Sequence, residues 1–219
     1  MLSLLFMPVK NIFFIEDLLQ VGVWKITEDL DLLLKNTRLS DEELFSFSSF
    51  SNERRKREWL AARCLLDKLK PDQIINYKPN GKPFFQNESC CISLSHTKGW
   101  VTVVLNSKYD VGCDIERITE KVLRIKSKFA SDKEIELAEH HRNKVIYFTI
   151  IWSAKEAIYK MYSDVASLEF KSKMEITVPN NINLEGTLLA KVQILNATKK
   201  IRLNYHIEEE YVLVYTLNE

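Results

Sequence analysis

Hydrophobic and polar positions divide this chain into short alternating runs and longer helical ones. "VGVWKI" (21–26) predicts an early strand. "SDEELFSF" opens a helix, with Ser40 at the N-cap and Glu43 three residues on, the spacing of a reciprocal capping box. A longer helix is expected over 51–69, its apolar side supplied by Leu60, Leu65, Leu66 and Leu69, and it stops before Pro71. "NYKPNGKPFF" carries Asn80-Gly81 and two prolines and reads as a turn. "CISLSH", "WVTVVLN" and "YDVGCDIE" then read as strands. Little more than Ser107 and Lys108 separates the last two, which predicts a hairpin. Helices follow over parts of 119–129, 131–143 and 147–162. "MEITV", "TLLAKVQIL", "KIRLNYHI" and "EYVLVYTL" close the chain as antiparallel strands. Strands and helices in separate runs, repeated about twice, predict an α+β fold in two similar halves that divide between 105 and 120.

Composition narrows the picture. The chain has 219 residues, 46% of them hydrophobic, with five glycines and five prolines, so it can build a substantial core and is not a disordered segment. The 31 basic and 30 acidic residues nearly cancel, which gives no global pull toward nucleic acid or an anionic membrane. Cys64, Cys90, Cys91 and Cys113 form no C-x-x-C pair, and the four histidines lack the i, i+4 spacing of a helical metal pair. A reducing cytoplasm is the expected compartment. The N-terminal "MLSLLFMPVK" lacks a basic leader and a small-residue cleavage site and is too short to span a bilayer, so neither signal peptide nor anchor is expected. Met7 could equally be the start.

The candidate chemistry begins at "DVGCDIERI" (110–118). In a strand Val111, Cys113 and Ile115 share one face, and Gly112, Asp114 and Glu116 share the other. Gly112 would leave open space beside the two carboxylates. Neighbouring carboxylates repel and raise each other's pKa unless a positive group intervenes. Either the pair lies on a solvated sheet face, or it holds a divalent cation such as Mg²⁺, which takes hard oxygen ligands. Glu156, in "IWSAKEAIYKM", is a third carboxylate, opposite the apolar stripe of Ala154, Ala157, Ile158 and Met161. Its plain reading is an exposed i, i+4 pair with Lys160, worth about 0.3 kcal/mol.

"ISLSHTKGW" gathers Ser93, Ser95, His96, Thr97 and Lys98 at a strand end, either a polar turn or a set of donors for phosphate oxygens. No G-x-S-x-G elbow supports a serine hydrolase. "NGKP" places Lys82 in a rigid turn. "NERRKREW" is the one basic run, flanked by Glu53 and Glu58, and reads as a solvated helix face from which single arginines could grip phosphate. Ser131 and Glu134 have capping-box spacing, so a chemical role for Glu134 needs separate support.

In order and separation, "GKP", "SLSHTKGW", "VGCDIE", F-x-S-x-x-E and "WSAKEAIYK" resemble the Sfp-type 4'-phosphopantetheinyl transferases over about residues 54 to 162. The D-x-E strand and the W-x-x-K-E-A-x-x-K helix are the most specific parts. The resemblance implies an enzyme that moves the phosphopantetheine arm of coenzyme A onto a serine of an apo acyl or peptidyl carrier protein, releasing 3',5'-ADP. It implies an α+β pseudo-dimer of two similar halves, 1–108 and 109–219, with coenzyme A between them and no need for a second copy. Asp114, Glu116 and Glu156 would then be Mg²⁺ ligands. Lys82, Ser95 and His96 would contact coenzyme A phosphates, with Arg57 and Arg63 in the region that binds the nucleotide. Lys160 would bind the pyrophosphate and help the leaving group, and Glu134 would be the general base. Cys113 stands where the family more often has valine or isoleucine and is expected in the core. Two competitors stay open at this point. One is another Mg²⁺-dependent phosphotransferase or nucleotide hydrolase; the other is a nucleic-acid-binding module using "RRKR", disfavoured by the near-neutral charge.

Overall fold

The computed structural model describes residues 9–15, 18–86, 90–165 and 168–217. The choice between Met1 and Met7 as the start lies outside them. Two antiparallel sheets organise the chain. The first holds β1 (Val9–Ile15), β2 (Leu19–Lys25), β6 (Trp100–Asn106) and β5 (Cys91–Thr97), in that spatial order. The second runs β7 (Cys113–Arg117), β11 (Tyr211–Leu217), β10 (Ala197–Ile207), β9 (Glu185–Ile194), β8 (Met174–Thr177). A small pair, β3 (Asn76–Tyr77) and β4 (Pro83–Phe84), frames the "KPNGK" turn.

Strict alternation builds three hydrophobic layers from these two sheets. On β6, Val101, Val103 and Leu105 pack under α3 (Glu53–Leu69), while Trp100 and Val104 face the second sheet. On β11, Tyr211, Leu213 and Tyr215 face the first sheet, and Val212 and Val214 pack under α6 (Lys144–Tyr162). The order is therefore helix, sheet, sheet, helix, with the middle core joining the halves. Cys113 and Ile115 enter that middle core, which turns Asp114 to the α6 side of β7, as the alternation predicts.

The helices begin where the side chains cap them. Ser40 and Glu43 form both hydrogen bonds of a capping box at α2 (Asp41–Ser48), and Asn52 rather than Ser51 caps α3. Ser131 and Glu134 form the second capping box, at α5 (Asp132–Leu137). A further helix, α4 (Lys121–Phe129), precedes it, and a short one, α7 (Phe170–Lys173), follows α6. The sequence reading missed α1 (Leu30–Lys35), β1, β3, β4 and α7.

The expected hairpin of 100–106 with 109–116 does not form. β6 already has neighbours on both edges, β2 and β5. Asn106 turns the chain away by accepting from the amides of Lys108 and Tyr109 at 2.9 and 2.8 Å. β7 then pairs with β11, Cys113 opposite Tyr215. The local hairpin is β5–β6, closed by Lys98 and Gly99, the glycine in the left-handed region at φ 84°.

Candidate active site

β5 meets β7 at the seam between the sheets, and the polar side chains there come from both halves. Ser93 Oγ accepts from the Cys113 amide at 3.0 Å. Ser95 Oγ donates to Asp114 Oδ1 at 2.8 Å and accepts from Lys160 Nζ at 2.9 Å. Lys160 also donates to Asp114 Oδ1 at 2.8 Å and to the Cys113 carbonyl at 3.0 Å. The positive group beside the β7 carboxylates is thus Lys160. Burial alone would lower its pKa; the Asp114 carboxylate outweighs that and holds it above the ordinary lysine value.

Asp114 is 4% exposed, and its Oδ2 is buried with no hydrogen-bond partner among the described residues. Burial, then the Asp114 charge, raises the Glu116 carboxyl to about 7, although Trp152 Nε1 donates to it at 3.3 Å. The same two causes raise Glu156. Gly112 is not open space for a ligand, because a Cβ there would stand 1.8 Å from the Ala157 carbonyl oxygen. Its missing side chain lets the α6 backbone approach β7, which is how Lys160 reaches Asp114.

Among the described residues no three His, Cys, Asp or Glu side chains are gathered into a metal-holding group. Asp114, Glu116 and Glu156 are therefore not a formed centre: Lys160 and Ser95 occupy Asp114 Oδ1, and Trp152 holds Glu116. The donor set still suits a hard cation. It is all oxygen, it includes the unsatisfied Asp114 Oδ2, and Asp114 burdens both glutamates electrostatically.

A cleft of about 230 Å³ opens beside this cluster. Its walls include Ser95, His96 and Lys160, with Arg55, Glu58, Trp59 and Arg63 from α3 and Asn80 to Lys82 from the turn. Five expected coenzyme A contacts (Lys82, Ser95, His96, Lys160 and Arg63) thus line one cavity. Arg57 is not among the lining residues; Arg55 is, and the sequence reading missed it. A signal was present, since Arg55, Glu58, Trp59, Ala62 and Arg63 fall on one helical face. Arg55 bonds His96 Nε2, and His96 Nδ1 faces Glu58 Oε2 at 3.3 Å. Burial, followed by the Arg55 charge, pulls the imidazole down to about 4, so His96 is neutral near pH 7. Arg63 lies over the Trp59 ring at 3.0 Å and donates to Glu43 Oε1 at 2.8 Å, so its charge is matched within the protein.

Glu134 is placed elsewhere, and its expected role as general base is corrected. It is 0% exposed. Oε2 accepts from Lys155 Nζ and from the Ser131 amide, both at 2.7 Å, and Oε1 from the Ile176 amide at 2.8 Å. With its oxygens committed, and absent from the cleft lining, the carboxylate anchors α5, α6 and β8. Cys113 is a core residue, as expected, and burial pushes its thiol up to about 11.

Comparisons with known proteins place the segment that carries Asp114, Glu116, Glu156 and Lys160. Residues 110–216 match the family model of the 4'-phosphopantetheinyl transferase superfamily. The chain is similar to the 4'-phosphopantetheinyl transferase AcpT of Escherichia coli, 34% identical over 115 residues that cover 48% of this chain and 57% of that protein. It is similar also to AcpT of Salmonella typhi, 33% identical over 113 residues, 48% of this chain and 58% of the relative. The matched segment spans a little over half the length of these curated relatives. The resemblance carried by the motifs is borne out at the level of the superfamily, and the mixed helix-and-sheet architecture agrees with it. Among the described residues no helix is long and apolar enough to cross a membrane.

Proposed function

We propose that this chain transfers the 4'-phosphopantetheine arm of coenzyme A to a serine of an apo acyl or peptidyl carrier protein, releasing 3',5'-ADP. The observation that carries the reading is the Asp114–Lys160–Ser95 cluster: Lys160 and Ser95 line the cleft, and both bond the buried Asp114, whose other oxygen has no partner among the described residues. A serine hydroxyl is a weak nucleophile, and a pyrophosphate repels it with several negative charges. Lys160, kept protonated by Asp114, is placed to neutralise charge on the departing phosphate oxygen. Lys82, His96 and Arg55 are placed to orient the remaining phosphates, Arg55 by exchanging its bond to His96 for one to phosphate. Asp114, Glu116 and Glu156 would hold a Mg²⁺ ion, whose part in such chemistry is to screen the phosphate charge.

The test is to incubate the protein with coenzyme A, Mg²⁺ and a panel of apo carrier proteins and to weigh the products. A carrier heavier by one phosphopantetheine is expected. Coenzyme A cleaved while every carrier keeps its mass would favour a nucleotide hydrolase instead. Mg²⁺ titration by calorimetry gives a readout apart from turnover, with binding by the wild type and none by Asp114→Asn.

A further inference from the structure

Asp164, just beyond the end of α6, reaches across to the first half of the chain. Its Oδ2 accepts from Lys78 Nζ at 2.7 Å and lies 3.2 Å from Lys82 Nζ, while Oδ1 accepts from Asn80 Nδ2 at 2.7 Å. Asn80 Nδ2 also donates to the Ser163 carbonyl at 3.1 Å, and Asn80 Oδ1 accepts from the Lys82 amide at 3.1 Å. The Lys82 side chain is 9% exposed, and its ammonium has Asp110 Oδ1 and the Met161 carbonyl as further partners, each at 3.1 Å. One carboxylate therefore collects three side chains of a single turn.

The turn sits on the small β3–β4 pair and is closed by two backbone bonds, Lys78 N to the Lys82 carbonyl at 2.9 Å and Gly81 N to the Lys78 carbonyl at 2.8 Å. These bonds set its shape. They do not set the direction in which it presents Lys82. That direction comes from the contacts with Asp164, Ser163 and Met161, at the end of the helix that carries Lys160 into the same cleft. The anchor also brings two ammonium groups onto one carboxylate, which offsets their mutual repulsion. Burial opposes the charge on Asp164, but the bonds from Lys78, Asn80 and Lys82 prevail and hold its carboxyl down to about 2.

We propose that Asp164 is a positioning residue that fixes the 78–82 turn to α6, so that Lys82 and Lys160 face the coenzyme A phosphates at a set separation. The proposal rests on the transfer reaction proposed above. Asp164→Asn keeps the shape of the side chain and removes the charge that two lysines share. It is expected to raise KM for coenzyme A about tenfold while kcat stays within about twofold. Asp164→Glu is expected to recover most of that loss. The double variant with Lys82→Ala is expected to bind no more weakly than Lys82→Ala alone, since Asp164 acts through that lysine.

Calorimetry of coenzyme A binding separates the possible failures. An unchanged Kd in Asp164→Asn overturns the positioning role and leaves the transfer reading standing. A wild type that binds coenzyme A but modifies no carrier overturns the transfer reading, and the same Kd comparison still decides on Asp164. A wild type that does not bind coenzyme A overturns both. Parallel loss of kcat and melting temperature, or additive losses in the double variant, would make Asp164 a structural residue only.

Discussion

Two carboxylate–lysine pairs hang on the same helix five residues apart, and they have opposite characters. Lys155 meets Glu134 at 2.7 Å with the side chains 0% and 1% exposed. All three of its protons are used, the other two on the carbonyls of Phe129 and Phe170 at 2.8 Å. Lys160 meets Asp114 at a similar 2.8 Å, but its side chain is 27% exposed to the cleft and Asp114 keeps an oxygen without a partner. The difference teaches that a lysine and a carboxylate in contact are not by themselves a site. A pair with every valence filled is scaffold; one with an unfilled oxygen beside an accessible cation has chemistry left to do.

The largest effect should come from breaking the closed pair. Lys155→Ala leaves Glu134 charged in a dry core and should cost about 3–5 kcal/mol, read as a fall in the urea midpoint. A loss below about 1 kcal/mol would mean that water reaches the pair and that the two sites do not differ in kind. The open pair should break in the other currency. Asp114→Asn is expected to lower transfer at least about a hundredfold while costing less stability than Lys155→Ala. Next comes Gly112→Ala, whose methyl would collide with the Ala157 carbonyl 1.8 Å away and push α6 from β7. A loss of about 1–3 kcal/mol is expected, with transfer falling as Lys160 is moved off Asp114. Wild-type stability in this variant would show that α6 does not depend on the close approach.

The smallest effect sharpens the open side. Burial and Arg55 hold His96 at about 4, below its ordinary 6.5. A depressed histidine stabilises the fold fully above 6.5, and that contribution is lost as pH falls toward 4. His96→Gln should therefore flatten the acid limb of stability between those pH values. An unchanged limb would mean that solvent, which reaches 43% of the side chain, screens His96 from Arg55.

Much of this contrast could be read in the sequence, because its carriers are local. The alternation in "DVGCDIE" put Cys113 and Ile115 on one face and Asp114 on the other, and two i, i+3 spacings gave both capping boxes. The capping box at Ser131 was also the correct warning about Glu134. What could not be read depends on partners remote along the chain. The strand after β6 resembled half of a hairpin because its true neighbour, β11, lies about a hundred residues further on, and β6 was already saturated by β2 and β5. Gly112 looked like room for a ligand because nothing in its own segment announces the helix that fills it. Lys155 looked like an ordinary polar position between Ala154 and Glu156, since burial of a lysine shows only once its three acceptors converge. Arg55 rather than Arg57 faces the cleft because the rotation of α3 about its axis, set by Trp59 and Leu60 entering the core, decides which arginine of the run turns inward.

The most direct measurement is the mass of an apo carrier protein after incubation with coenzyme A, Mg²⁺ and three forms of this chain, at a temperature where all three are folded by circular dichroism. Wild type and Glu134→Gln should each add one phosphopantetheine, and Asp114→Asn should leave the carrier unchanged. Modification by Asp114→Asn at the wild-type rate, with none by folded Glu134→Gln, would reverse the assignment of the two pairs and contradict the account.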